Sequence, residues 1–344
     1  KAERFIFLEY FILAEGKLWD ELEKILCAKA REGVEVKIIF DDFGNIKRFS
    51  GETIDRLCEV GVEVFIFNPV HEYVNRLHFN YRDHRKIACI DGDVAYTGGV
   101  NIADEYANII ERFGYWKDSG VCLEGEGAWG LTASFIRMCV NLGGVMHNEH
   151  DYYRPHTPVK SEGFCQPFTD GPQNNPDNPA EDVFLQMISG ARRFLYITTP
   201  YFIPDESLMR ALCIAGDGGV DVRLMLPGKP DHWYADCVAE SYFGELIKHG
   251  VKVYRYIPGF LHGKSIMVDR EAAFVGSANM DYRSFELDYE CGVMVYSAPM
   301  IESLLEDMDM IVDRSHLVTV EEWAKRSVLR RVFEPLLRLF AIWM

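Results

Sequence analysis

Residues 84–101 and 262–279 are two copies of one pattern, and that duplication restricts the folds open to this chain more than any other feature. His84-Arg85-Lys86 is followed by Asp91, then by Gly98-Gly99 and Asn101; His262-Gly263-Lys264 is followed by Asp269, then by Gly276-Ser277 and Asn279. Every matched position of the second copy follows its counterpart at the same constant offset. The likeness extends outward. Arg4 to Ile12 resembles Arg193 to Ile203, Gly33 to Phe40 resembles Gly219 to Leu226, and Gly61 to Phe65 resembles Gly250 to Tyr254. Each run is short, rich in β-branched or aromatic residues and bounded by Gly or Pro, which reads as a buried strand. Helical stretches such as 17–31, 205–215 and 233–249 separate these runs. Strand alternating with helix implies an α/β fold: two similar domains, each a mostly parallel mixed sheet flanked by helices, related by a pseudo-twofold.

The pattern divides the chain into a first domain over 1–150, a linker over 151–180, a second domain over 181–318 and a basic amphipathic helix over 319–344. Residues 143–180 are rich in Asn, Pro, Gly, Tyr and His and read as a solvated connection. Its His147, His150 and His156 lack the Cys or carboxylate spacing of a metal site. A helix-like segment, Glu181 to Gly190, precedes the first strand of the second copy, whereas Lys1 opens almost directly into a strand. By the logic of the repeat, roughly twenty residues of the first domain are expected upstream.

With 344 residues, 48% of them hydrophobic, the chain can bury a large core. Its 53 acidic residues against 36 basic ones give a net charge of −17, which argues against nucleic acid as a partner, since such binding depends on neutralising phosphates. The nine cysteines are scattered without a C-x-x-C and read as small buried apolar residues in a reducing compartment. No run of 18 apolar residues occurs, so no helix is expected to span a membrane here. The end of the chain differs in charge. From Lys325 to Met344 five basic residues meet only Glu334, with apolar residues at roughly helical spacing, which suggests an interfacial helix drawn to anionic lipid.

The doubled pattern carries the chemistry. His84 and Lys86 are two apart on an apolar strand and share one face. Asp91-Gly92-Asp93 is a hairpin signal, and folding there sets Lys86 opposite Gly98 and His84 near Asn101. The glycine reads as room for backbone to approach a bound group. The second copy brings His262 near Asn279 in the same way. Each copy thus offers an imidazole, an ammonium and an amide, a patch suited to one tetrahedral phosphate. Two patches facing across the pseudo-twofold would form a single site with two His and two Lys. Asp91, about 16 Å beyond Lys86 along an extended strand, can hardly reach the same phosphate. Asp91 and Asp269 therefore read as structural members that fix the hairpin or an ion pair.

The doubled H-x-K-x4-D-x6-G-G/S-x-N resembles the phospholipase D superfamily. Phe5 to Phe11, Ala95 to Gly99, Phe113 to Asp118, Thr199 to Asp205, Lys229 to His232, Gly259 to His262 and Ser277 to Phe285 resemble its bacterial cardiolipin synthases. That resemblance implies a phosphatidyl transfer joining two phosphatidylglycerols into cardiolipin and glycerol, without metal or other cofactor. It implies catalysis by the motif residues His84, Lys86, Asp91, His262, Lys264 and Asp269, through a phosphohistidine on His84 with His262 as acid and then base. Asn101 and Asn279 would bind the substrate phosphate with the lysines. A carboxylate is expected to orient each imidazole: Glu290, in a strand-like segment downstream of the second motif, for His262, and Asp118 for His84. Transmembrane helices upstream, a membrane surface as partner and a bacterial cell membrane location with the catalytic domain on its cytoplasmic face also follow from resemblance. The motif itself leaves open a phospholipase D or other phosphatidyltransferase using water or a different alcohol, a superfamily nuclease, or a non-catalytic lipid-binding protein.

Overall fold

The computed structural model describes residues 1–70, 80–149, 151–160, 163–326 and 337–338. In the first half, β1 (Phe5–Tyr10), β2 (Glu35–Asp41) and β3 (Glu63–Phe67) are followed by β4 (Arg82–Asp83), β5 (Lys86–Ile90), β6 (Val94–Gly98), β7 (Tyr115–Lys117) and β8 (Gly120–Glu124). In the second, β9 (Phe164–Asp170) leads to β10 (Phe194–Thr198), β11 (Phe202–Ile203), β12 (Asp221–Pro227), β13 (Lys252–Tyr256), β14 (Gly259–Leu261), β15 (Ser265–Val268), β16 (Ala272–Gly276), β17 (Met280–Asp281), β18 (Asp288–Tyr296) and β19 (Ser315–Leu317).

The first sheet runs β3-β2-β1-β5-β6-β8 and the second β19-β13-β12-β10-β15-β16-β18, with β9 on the outer edge of β18. In both, three parallel strands joined by helices form one half. The hairpin that carries the repeated motif adds the antiparallel other half. The sheets are therefore the mixed, helix-flanked pair that the repeat implies.

Alternation along β1 and β10 assigns their two faces. Phe5 and Phe7, with Ile87 and Cys89 from β5, share one apolar cluster with Tyr196, Met225, Met267 and Val275 of the second sheet. The contact between the halves is thus itself a core, closed by Phe135 and Leu305 from helices Trp129–Asn141 and Met300–Asp313. The opposite faces pack on helices of their own half: Ile6 and Leu8 on Trp19 and Leu26, and Leu195 and Ile197 on Leu208 and Leu212.

The segment expected to be a linker over 151–180 is more ordered than that. Phe164–Asp170 pairs along its whole length with β18, and a helix begins at Pro179. Pro167 and the lack of clean alternation hide this strand in the sequence, and an edge position tolerates the proline. Upstream, His156 and Thr157 donate their backbone N–H groups to Asp93 Oδ1, both at 2.7 Å, so this stretch docks on the first hairpin. The His147 ring lies against Tyr152, and His150 falls outside the described residues. Among the described residues no disulfide forms; Cys27, Cys89, Cys139, Cys213 and Cys291 are buried as expected, but Cys58, Cys122 and Cys165 are exposed. The basic stretch from Lys325 to Met344 lies mostly outside the described residues; before it, helix Val320–Ala324 carries a capping box from Thr319 and Glu322. Among the described residues no helix is long and apolar enough to cross a membrane.

The repeated aspartates explain themselves here. Asp91 opens its hairpin loop at φ +55° and Asp269 at +53°, a left-handed conformation that Asp tolerates better than most residues. Asp91 accepts the backbone N–H groups of Glu3, Arg4 and Phe5 at 2.7–2.9 Å. Asp269 accepts those of Arg192, Arg193 and Phe194, each at 2.8 Å. Each aspartate anchors the entry to the first strand of its own sheet, at the far end of the motif strand from the histidine and lysine. Burial alone would raise the Asp269 carboxyl; the three N–H groups outweigh it and hold it below the ordinary range. Asp269→Ala strands these donors and should cost about 1–3 kcal/mol. A drop of several degrees in thermal unfolding, with the specific activity of the folded fraction retained, is the expected result.

Candidate active site

Two short parallel ladders join the halves. Strand β4 pairs with the start of β18, Arg82 with Asp288 and Asp83 with Tyr289, and the His84 N–H donates to Tyr289 O at 3.0 Å. Strand β14 pairs with β7 in the same manner, ending on Leu261 with Lys117, and the His262 N–H donates to Lys117 O at 2.7 Å. The next pair in each register is a histidine with a carboxylate. His84 Nδ1 is 2.9 Å from Glu290 Oε1, and His262 Nδ1 is 2.7 Å from Asp118 Oδ2.

This reverses the pairing expected from the sequence. Glu290 orients His84 and Asp118 orients His262, each across the pseudo-twofold. Spacing within one repeat misled because each carboxylate sits behind its own Gly/Ser-x-Asn loop yet faces the other half. A Cβ on Gly99 would come within 2.2 Å of Asp118 Oδ1, so only glycine leaves room there. At the matching position Ser277 Oγ instead donates to Glu290 Oε2, and Ser284 Oγ donates to Oε1 at 2.8 Å. Gly98 and Gly276 likewise serve the fold rather than a ligand: a Cβ would approach Ser119 O to 2.3 Å or Cys291 O to 2.5 Å, carbonyls of the adjacent chain.

Lys86 and Lys264 behave alike, each Nζ donating to the carbonyl oxygen of the histidine two residues earlier. The asparagines do not. Asn101 Oδ1 accepts from the Ile12 N–H at 3.0 Å and its Nδ2 donates to Tyr106 Oη at 2.8 Å. Tyr106 in turn packs edge-on against His262, with ring centroids 5.4 Å apart. Asn101 thus supports the other half's histidine. The Asn279 N–H donates to Ser284 Oγ, while its buried Oδ1 has no partner. Asn279 keeps a side chain available for a ligand; the Asn101 amide is already engaged at both ends. Tyr106 and Ser284 were overlooked in the sequence, although they occupy matching places in the repeat, each five positions after its asparagine.

Burial dominates the electrostatics. It pushes the Lys86 ammonium down to about 8, although Glu290 opposes it, and Lys264 to about 7, against Asp118 but assisted by Lys86. Burial and the lysine charges lower His262 to about 4 and His84 well below the usual imidazole range. Burial raises Glu290 to about 7. Asp118 departs from this trend, because His262, Lys264 and the Ser119 N–H outweigh its burial and hold it below the ordinary range.

His84, Asp288 and Glu290 place potential ligand atoms within 4.8 Å of one another. Burial pushes the Asp288 carboxyl well up as it does Glu290, and Lys86, Lys264 and Arg283 crowd the same space. Two ammonium groups and a guanidinium beside these carboxyls favour an anion over a further cation.

The family model described as "Cardiolipin synthase, PLD-like domain" matches residues 1–109 and 184–312. The chain is 37% identical over 343 residues to cardiolipin synthase 2 of Bacillus anthracis, across 99% of this chain and 66% of that protein. It is also 37% identical over 350 residues to a cardiolipin synthase of Clostridium perfringens, across 98% and 72%. It thus spans just under two thirds of the first relative's length and somewhat more of the second's. A phosphatidylserine synthase of Haemophilus influenzae shares the fold with a TM-score of 0.71 at 16% identity, over 99% of this chain and 88% of that one. The chain belongs to the phospholipase D-like family of cardiolipin synthases and is a phosphatidyltransferase.

A pH dependence follows from the lysines. In their charged forms the lysines suit a phosphate, and raising the pH through about 7 to 8 removes that charge. The expected kcat/KM for a soluble phosphodiester falls across that window. The limb in kcat should lie at higher pH, because bound phosphate stabilises both ammonium groups. Coincident limbs would show that the lysines do not face the phosphate. Chelation with EDTA should leave both parameters unchanged.

Proposed function

We propose that this enzyme transfers a phosphatidyl group between two phosphatidylglycerols, yielding cardiolipin and glycerol, through a phosphohistidine on His84. The carrying observation is the crossed pair of histidine–carboxylate contacts. Each Nδ1 is engaged by a carboxylate, which leaves each Nε2 free for substrate.

The two pairs differ in a way that supports distinct roles. Beneath His84 the Glu290 carboxyl is pushed toward neutrality, and burial together with the cations around the ring keeps the imidazole uncharged, as a nucleophile must be. Beneath His262 the Asp118 carboxyl is held ionised, which stabilises an imidazolium. In the first step His84 Nε2 bonds to phosphorus, the bond to the glycerol oxygen breaks, and His262 gives that oxygen its proton. In the second, the acceptor hydroxyl passes its proton to His262 as its oxygen bonds to phosphorus and the phosphorus–nitrogen bond breaks. Lys86, Lys264 and Asn279 stabilise the charge on the phosphoryl oxygens. The named relatives are bacterial cardiolipin synthases, and the substrate of this reading is an anionic bilayer lipid. Its place of action is the bacterial membrane, with the catalytic domain on the cytoplasmic face.

The direct test is purified protein with phosphatidylglycerol vesicles, scored for cardiolipin and glycerol. Phosphatidic acid as the main product would replace the reading with a hydrolase. The histidines are separated by an activated donor whose leaving group needs no proton. His262→Ala should accumulate an acid-labile adduct on His84, whereas His84→Ala should form none. Asp118→Asn should follow His262→Ala, slowing turnover of phosphatidylglycerol about 10²–10⁴-fold while sparing adduct formation from the activated donor. An adduct on His262 in the His84→Ala protein would invert the assignment.

A further inference from the structure

Beside the phosphate-binding patch, on the His262 side, lies a polar cluster that the transfer chemistry leaves unused. Tyr201 Oη donates to Asp231 Oδ2 at 2.5 Å. The His232 ring stacks on Tyr201 at 6.3 Å and its Nε2 stands 3.6 Å from the same carboxylate. Asp231 Oδ1 is buried and has no partner. These residues line a cavity of about 10 Å³, closed on another side by Phe260. The loop that carries Asp231 is fixed to the strand leading to His262: the Gly228 N–H donates to Tyr256 O at 2.9 Å and that of Lys229 to Gly259 O at 3.4 Å. Phe260 bridges the two places, its ring 6.5 Å from Tyr201 and 5.7 Å from His262.

A buried carboxylate oxygen without a donor is costly to leave unpaired. What would satisfy it is narrowly defined. A phosphate is excluded by charge, and Arg255 on the cavity wall is already committed to Asp236 and Glu240. A cavity of this size holds one water-sized group. A single O–H donor fits both limits. His262, in the reading above, exchanges its proton with the oxygen of the leaving or incoming alcohol. A glycerol group with one oxygen at His262 carries two more hydroxyls on the same three-carbon chain.

We propose that Asp231, held by Tyr201, is the subsite that receives a second hydroxyl of the glycerol group, and so selects a polyol over a simple alcohol as leaving group and acceptor. This rests on the phosphatidyl-transfer reading and extends it to the alcohol. Asp231 is a specificity residue here and has no part in bond making. The polyol hydroxyl supplies the donor that Asp231 Oδ1 lacks.

The experiment supplies an activated phosphatidyl donor with glycerol and 1-propanol in competition, and measures the ratio of phosphatidylglycerol to phosphatidylpropanol. Loss of a hydrogen bond to a buried charge corresponds to roughly a 10–100-fold change. Asp231→Asn should lower the ratio by that order relative to wild type. Tyr201→Phe, which frees Oδ2 and unmoors the carboxylate, should lower it severalfold and provides the second variant if the first does not fold. A ratio equal to that of wild type, whether or not both rates fall, would overturn the subsite. A wild-type protein that forms neither product would overturn the transfer reading and this proposal with it. A wild type that forms both products without preferring glycerol would overturn the subsite alone.

Discussion

Backbone register, more than side-chain reach, holds this site together. The two ladders between β4 and β18 and between β14 and β7 are only two and three residue pairs long, yet each ends on a histidine beside a carboxylate from the other half. A shift of one residue in either ladder would turn the histidine to the opposite face and break the contact. The ladders are short because they are not what joins the halves. The apolar faces of both sheets do that, through Phe5, Phe7, Met225 and Met267. The large core supplies the adhesion and the ladders supply the alignment. Neither half supplies both members of either active-site pair, His84 with Glu290 or His262 with Asp118.

Burying so many ionisable groups together would be ruinous if all were charged. Protons resolve the conflict. In the empty site both imidazoles are driven neutral, Glu290 is driven toward neutrality, and the lysines are held close to the point of releasing their protons. An arriving phosphodiester reverses the balance, since its negative charge favours the cationic forms of Lys86, Lys264 and His262. In the proposed transfer, the charge that binds the substrate and the proton that completes the reaction are thus called up by the substrate itself.

The sequence made the architecture legible because the motif is doubled. The constant offset between its copies located both hairpins, both lysines and the facing of the two halves before any geometry was known. Three things stayed hidden, each for a physical reason. The crossing of Asp118 and Glu290 depends on pairing between strands far apart in the chain, which no local spacing encodes. Phe164–Asp170 is an edge strand carrying Pro167, so its pattern resembled a loop. The Asn101 amide is held by Ile12 and Tyr106, partners that could be identified only with the chain folded. The aspartates were legible by distance alone: strand rise removed Asp91 from the phosphate, and the backbone N–H groups it accepts explain why an aspartate stands there.

Where the repeat fails is as informative as where it holds. Between His84 and Lys86 stands Arg85, which is buried, 2.5 Å from Glu9 and 2.9 Å from Asp83, and bonded to Ser134. The corresponding positions of the second copy are Gly263, Thr198 and Leu261, a neutral set. Burial pushes Glu9 well above the carboxylate range, with Asp83 adding to the effect and Arg85 opposing it. The strands around Arg85 therefore carry a charged, proton-sharing network beside His84, whereas the matched positions beside His262 are neutral. An arginine fixed by two acids leaves the His84 backbone little freedom, which suits the nucleophile role proposed for it. Gly263 gives the second histidine no such anchor. Aromatic rings hold it instead, with the centroids of Trp116, Tyr106 and Phe260 at 5.1, 5.4 and 5.7 Å from its own. Two halves with the same strands have been given different supports, and the difference accords with the separate tasks proposed for the two histidines.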